Sequence, residues 1–192
     1  MSARFVFVVG ALAVCLLAAP APAAAQAPAA PADDDCLACH GDSTAVRANG
    51  TSVAVVSAVL AKSVHGTQTC VSCHAGLAKT TEWPHPEKVA AVACSACHGQ
   101  EGRNYEDSVH GRAALKSGLA VAPRCSTCHG NHNIQPPADT ESSVHRARIA
   151  GTCTKCHEGI APLYAKSVHA QPLGPAGSAA AVCSDCHTAH RI

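Results

Sequence analysis

Residues 94–134 read CSACHGQEGRNYEDSVHGRAALKSGLAVAPRCSTCHGNHNI. Two Cys-x-x-Cys-His units, Cys94/Cys97/His98 and Cys125/Cys128/His129, bracket a Ser108-Val109-His110, and His132 and Ile134 trail the second unit. The stretch recurs downstream. Cys153, Tyr164 and Ser167-Val168-His169 repeat Cys94, Tyr105 and Ser108-Val109-His110. After a one-residue deletion, Cys183, His187, His190 and Ile192 repeat Cys125, His129, His132 and Ile134. A looser copy precedes it: Cys36 to His40, then Lys62-Ser63-Val64-His65-Gly66, then Cys70 to His74. The chain is thus a threefold internal repeat over about 36–85, 94–134 and 153–192, and the paired motif is its unit.

The four units not yet spelled out are Cys36/Cys39/His40, Cys70/Cys73/His74, Cys153/Cys156/His157 and Cys183/Cys186/His187. Of 13 cysteines only Cys15 lies outside the six motifs. Random placement of these residues gives about 0.06 such motifs in a chain of this length. On a helical turn, positions i, i+3 and i+4 share one face. Two thiols can then add to the two vinyl groups of one heme while the histidine reaches the iron. This is the c-type heme attachment signature, and it predicts six covalent copies of heme c. Zinc ribbons pair Cys-x-x-Cys units without needing a histidine after each. A disulfide framework gives the adjacent histidine no role, and thioredoxin-like motifs come singly on βαβ units.

Composition agrees that side chains are not the core. Leu, Ile, Val and Phe number 34 of 192 residues, and nine of these, with both Phe, precede residue 18. The remainder has one Trp (Trp83) and two Tyr (Tyr105 and Tyr164). So little large apolar surface cannot offset the entropy of ordering the backbone. The expected fold is mostly irregular with a few short α-helices, wrapped around six hemes in three two-heme modules. Val53 to Val64 reads as one helix with Gly66 as its C-cap.

Residues 1–25 read as a secretory signal peptide: Arg4, an apolar run from Phe5 to Ala19, and a small-residue site at Ala23-Ala24-Ala25. The run is short for a membrane span. Cys15 after Leu12-Ala13-Val14 resembles a lipoprotein site, but Val14 is bulky for it. Export is the expectation, to the periplasm or cell surface. Residues 26–35 form a Pro/Ala-rich leader ending in Asp33-Asp34-Asp35, and 36–192 is the hexaheme domain. The formal net charge of +1, from 14 basic and 13 acidic residues, leaves no basic stripe for nucleic acid or anionic lipid.

Seven histidines stand outside the motifs. The repeat selects His65, His110 and His169 from the Ser-Val-His elements and His132 and His190 from the trailing slot. His85, in Trp83-Pro84-His85-Pro86, is the trailing equivalent in the first copy. His145 is surplus, or else replaces His85. Opposite ligands of one iron need Cα atoms roughly 12 Å apart, whereas three residues span at most about 10 to 11 Å. His132 and His190 therefore serve irons other than those of His129 and His187.

These motifs resemble the multiheme cytochromes c with doubled Cys-x-x-Cys-His units, akin to class III cytochromes and to exported electron carriers of bacterial respiration. The resemblance covers residues 36–192. It implies bis-His low-spin hemes and an electron-transfer role in anaerobic-type respiration rather than catalysis. Partners would be a membrane quinol dehydrogenase and a terminal reductase or another cytochrome. The alternatives are a multiheme reductase of the nitrite or hydroxylamine type, which needs an open axial position, and a subunit of a conductive filament.

Overall fold

The computed structural model describes residues 29–173, 178–179 and 181–192; the expected signal peptide lies outside them. The described chain is mostly turns and loops punctuated by short helices, as the composition demands. Its longest helices are Gly99–Asp107, of 9 residues, and Asp33–His40, of 8. Helical turns coincide with the motifs: Cys70–Cys73, Cys125–His129 and Cys183–His187 are α-helical, and Cys94–Ala96 is a 3₁₀ turn. The helix Asp33–His40 takes in the acidic end of the leader, where the Asp35 carboxylate accepts from the Ala32 N–H at 2.9 Å. Asp33 reaches further and accepts from the Cys70 N–H at 2.7 Å, tying the first motif to the second. A two-residue antiparallel ribbon pairs Pro172–Leu173 with Ser178–Ala179.

The helix expected over 53–64 is confined to Ser57–Leu60. Val53, Val55 and Val56 are β-branched and sit more readily in extended backbone. There the chain finds better partners than a helix provides. The Val53 N–H donates to Ala45 O at 2.9 Å and the Val55 N–H to His40 O at 2.6 Å.

Among the described residues the buried apolar side chains are Ala114, Ala122 and Val182 alone. The buried polar ones are Ser63, Ser108 and Ser142. This is no hydrophobic core. What organises the chain is a set of repeated hydrogen bonds. The Tyr105 hydroxyl donates to Pro123 O at 2.8 Å and the Tyr164 hydroxyl to Ala181 O at 3.0 Å, closing corresponding loops in the second and third copies.

A second device joins one copy to the next. The Val64 N–H donates to Ile134 O at 2.9 Å, and the Val109 N–H donates to Ile192 O at 2.8 Å. Each bond links a Ser-Val-His element to the trailing segment of the following copy. The glycine after the second of these elements is required by space: a Cβ on Gly111 would lie 1.8 Å from Tyr105 O. The third copy has Ala170 there, in a 3₁₀ turn Val168–Ala170.

Candidate heme-binding site

The first cysteines of the two motifs in each copy are neighbours. Burial raises the Cys70 thiol to about 12, with Asp33 and Cys36 adding to the rise. Burial likewise raises Cys153 to about 11, helped by Cys183, and pushes Cys125 up beside Cys94. Cys128 is also raised, by burial first and then by Cys156, so the second copy touches the third through their motifs. The cysteines of the second and third copies thus lie in a connected series, and Cys36 and Cys70 of the first form a pair of their own.

The second cysteines are placed differently from the first. Sequence reading assigns both thiols of every motif to one macrocycle, and their surroundings differ. Cys36, Cys70, Cys94, Cys153 and Cys183 are half-buried, whereas Cys39, Cys73, Cys97, Cys156 and Cys186 are exposed. Cys39, Cys97 and Cys186 are thus not gathered into the clusters that the first cysteines form. The reason is local geometry. The first thiol faces the other motif of its copy, and the second, three residues on, follows it along the turn toward solvent. Cys128 departs from this, being half-buried where the third copy meets it, while its partner Cys125 is exposed. All twelve thiols are free, so a disulfide framework has no counterpart among the described residues. Nor do three His, Cys, Asp or Glu side chains converge there as metal ligands, so a zinc site of four such ligands has none either.

The histidines meet in pairs instead. The ring centroids of His40 and His85 lie 6.0 Å apart, those of His65 and His98 5.9 Å, and those of His74 and His132 6.3 Å. His110 and His157 are 6.0 Å apart, and His129 and His190 5.9 Å. Every pair joins one motif histidine to one from outside the motifs. An iron bound by two imidazole nitrogens at about 2.0 Å each, with each ring centre a little over 1 Å beyond its nitrogen, separates the centroids by about 6.3 Å. Direct stacking of two rings needs no such gap. The pairs therefore fit the two axial positions of a heme iron, with the porphyrin edge-bonded to the adjacent cysteines.

Proton placement suits this role. The Nδ1–H of His40 donates to Val53 O at 2.8 Å, and that of His85 to Pro86 O at 2.9 Å. A carbonyl can only accept, so each ring keeps the Nε2 lone pair for a metal. His145 is wired the other way. Its Nδ1 accepts from the Ala147 N–H at 3.2 Å, which leaves the proton of the neutral ring on Nε2. Burial, with neighbouring imidazoles next in weight, lowers His74, His110 and His129 from the ordinary histidine value, the direction that favours the uncharged ring.

His132 lies against His74 and His190 against His129, each in the preceding copy. His65 and His110 reach forward, to the first motif of the following copy. His85 turns back onto its own copy. Among the described residues, His169, His187 and His145 form no ring pair; His169 and His187 are exposed. Sequence reading missed three contributors: Val53, whose carbonyl orients His40, and Ile134 and Ile192, whose carbonyls join the copies. The two isoleucines were visible as repeat matches, but a backbone acceptor leaves no trace in residue type.

Residues 36–117 match the family model described as cytochrome c-type protein NrfB-like. The match takes in the first three motifs together with His65, His85 and His110. No curated protein and no solved structure matches the chain. The family match supports a multiheme c-type cytochrome with covalently bound heme c and an electron-transfer role. No helix of the described residues is long and apolar enough to cross a membrane.

Proposed function

We propose that the protein is an exported electron carrier holding six covalent hemes, each ligated by two histidines, in anaerobic-type respiratory electron transport. The carrying observation is the five histidine pairs at 5.9–6.3 Å, each composed of one motif histidine and one external histidine. At these five pairs, nitrogens on both sides of an iron would leave no position for substrate, which suits transfer rather than catalysis there.

Heme held by these cysteines and histidines would supply one-electron ferric/ferrous chemistry, reduced by the donor and reoxidised by the acceptor. The chain's own residues supply the rest. In this reading twelve cysteines fix six macrocycles in sequence, and His65, His110, His132 and His190 cross-link one copy to the next. The exposed thiols of Cys39, Cys97 and Cys186 suit addition to a vinyl group from the solvent side, with the half-buried first thiol fixing the inner edge. Orienting carbonyls such as Val53 O hold the ligand tautomer. The donor in this reading is a quinol-oxidising membrane protein, and the acceptor a terminal reductase or another cytochrome. Residues 1–25 support export as a signal peptide, which fits the periplasm or cell surface, where disulfide-permissive chemistry prevails.

Intact mass of the matured protein tests this reading: it should exceed the processed polypeptide by six heme masses. Five or fewer hemes in fully matured material overturns it.

A further inference from the structure

The three copies bring the first cysteines of their two motifs together in the same way, Cys36 with Cys70, Cys94 with Cys125 and Cys153 with Cys183. Each copy is therefore a control for the others, and the first differs from them in charge. The Asp33 carboxylate, half-buried, accepts from the Cys70 N–H at 2.7 Å. Asp33 stands three residues before Cys36. The same position holds Ala91 before Cys94 and Ala150 before Cys153. One carboxylate thus joins the two attachment points of the first copy, and its counterparts are methyl groups.

Neighbouring charges sharpen the contrast. Among the described residues no Lys or Arg forms an ion pair with Asp33. In the third copy the carboxylate inside the second motif, Asp185, is paired with Arg146 at 2.9 Å. At Cys70 burial raises the thiol first and Asp33 next, through a hydrogen bond and through its charge. At Cys125 and Cys153 the groups that add to burial are other thiols. At Cys128 the cation of Lys155 acts against the rise that burial and Cys156 impose. The sequence around the motifs has the same asymmetry. Within five residues of the first copy's motifs stand Asp33, Asp34, Asp35 and Asp42 against Lys79 alone. In the same windows of the second and third copies basic residues outnumber acidic ones by one.

A thiolate and an added electron are the same kind of change, one more negative charge at the attachment point. A carboxylate that opposes the first opposes the second. We propose that Asp33 makes the first copy the low-potential end of the heme series, so that electrons enter there and pass through the second copy to the third. This assignment rests on the six-heme reading above. The Asp33 charge disfavours the ferrous state at the irons carried by the Cys36 and Cys70 motifs, and the other two copies lack it. Each transfer moves one electron, oxidising an iron of the earlier copy and reducing one of the later copy, with no bond made or broken. The crossings lie where histidines of two copies pair, His65–His98 and His74–His132 at the first junction and His110–His157 and His129–His190 at the second. The quinol-oxidising donor accordingly meets the first copy and the acceptor the third.

A spectroelectrochemical titration of the matured, fully loaded protein tests this. Asp33→Asn keeps the oxygen that accepts from the Cys70 N–H and removes only the charge. It should raise the lowest-potential part of the curve and leave the high-potential part in place. The expected size is about tenfold in the ferrous-to-ferric ratio at fixed potential, or about 59 mV for a one-electron couple. Asp33→Glu, which keeps the charge, should leave the curve where it was. Ala150→Asp, which sets a carboxylate at the same position of the third copy, should lower the high-potential part. A change under about twofold in Asp33→Asn overturns the proposal. So does a shift that falls in the high-potential part or spreads evenly over the curve, or an equal shift in Asp33→Glu, which would mark a structural effect. An Ala150→Asp variant that moves nothing, or moves the low-potential part, overturns the order of the copies. Intact mass of the same sample separates the two readings. Fewer than six hemes removes the heme assignment, whereas six hemes with an unmoved Asp33→Asn curve removes the role of Asp33 alone.

Discussion

Replacing His132 by Ala removes one ring of the His74–His132 pair, whose centroids stand 6.3 Å apart. The substitution leaves a gap of an imidazole beside the half-buried His74. The rings that share His74's electrostatic surroundings are His40 and His85, and those two are already paired with each other at 6.0 Å. If His85 moved across to serve His74, His40 would lose its partner. Either way the number of open irons rises by one per chain, about one-sixth of the heme present if six are attached. The assay is carbon monoxide titration of the dithionite-reduced variant against the parent, read as added stoichiometry, with spin state followed by absorbance. One additional carbon monoxide per chain is expected. His145→Ala should add none, because its Nδ1 accepts from the Ala147 N–H and its neutral ring carries the proton on Nε2. An unchanged stoichiometry in His132→Ala, or an added equivalent in His145→Ala, refutes the ligand assignment.

Gly111→Ala should destabilise the holoprotein by about 1–3 kcal/mol or more, since its Cβ meets the Tyr105 carbonyl oxygen at 1.8 Å; Gly151→Ala, with nothing within 4 Å, serves as the control in the same denaturant titration. The apo-chain, made without heme attachment, should show little ordered structure by circular dichroism, because only Ala114, Ala122 and Val182 are buried apolar side chains among the described residues. A cooperative thermal transition in the apo-chain would contradict this. The loaded protein should focus well below the sequence value of 7.6, as six bis-His hemes contribute about −6 when ferric and about −12 when ferrous through their propionates. Docking to a basic partner should weaken with salt.

The sequence by itself determined the chemistry. Covalent attachment depends on residue identity at fixed local spacing, and a Cys-x-x-Cys-His is complete within five residues. The threefold repeat and the irregular fold were legible for related reasons: motif recurrence is a matter of order along the chain, and residues 36–192, which contain no Phe, cannot bury a conventional core. The helix expected over 53–64 failed where tertiary partners entered. Val53 and Val55 pair with Ala45 and His40 across a loop, and such partners compete with helix propensity without changing composition.

Only the tertiary structure decided which histidine meets which. His132 and His129 are three residues apart, yet His132 faces His74 of the previous copy. His85 and His145 competed for one slot in the sequence, with His85 the expected one; in the structure the His85 ring meets His40, whereas His145 meets no other histidine ring among the described residues. The two thiols of a motif look alike in sequence, and only packing sets the clustered Cys36 apart from the exposed Cys39. Pairing across copies depends on where the Ile134 and Ile192 carbonyls fall, and a carbonyl is common to every residue. The greater exposure of Ser167 and His169 is likewise invisible in one dimension, because they differ from their counterparts not in motif but in what covers them.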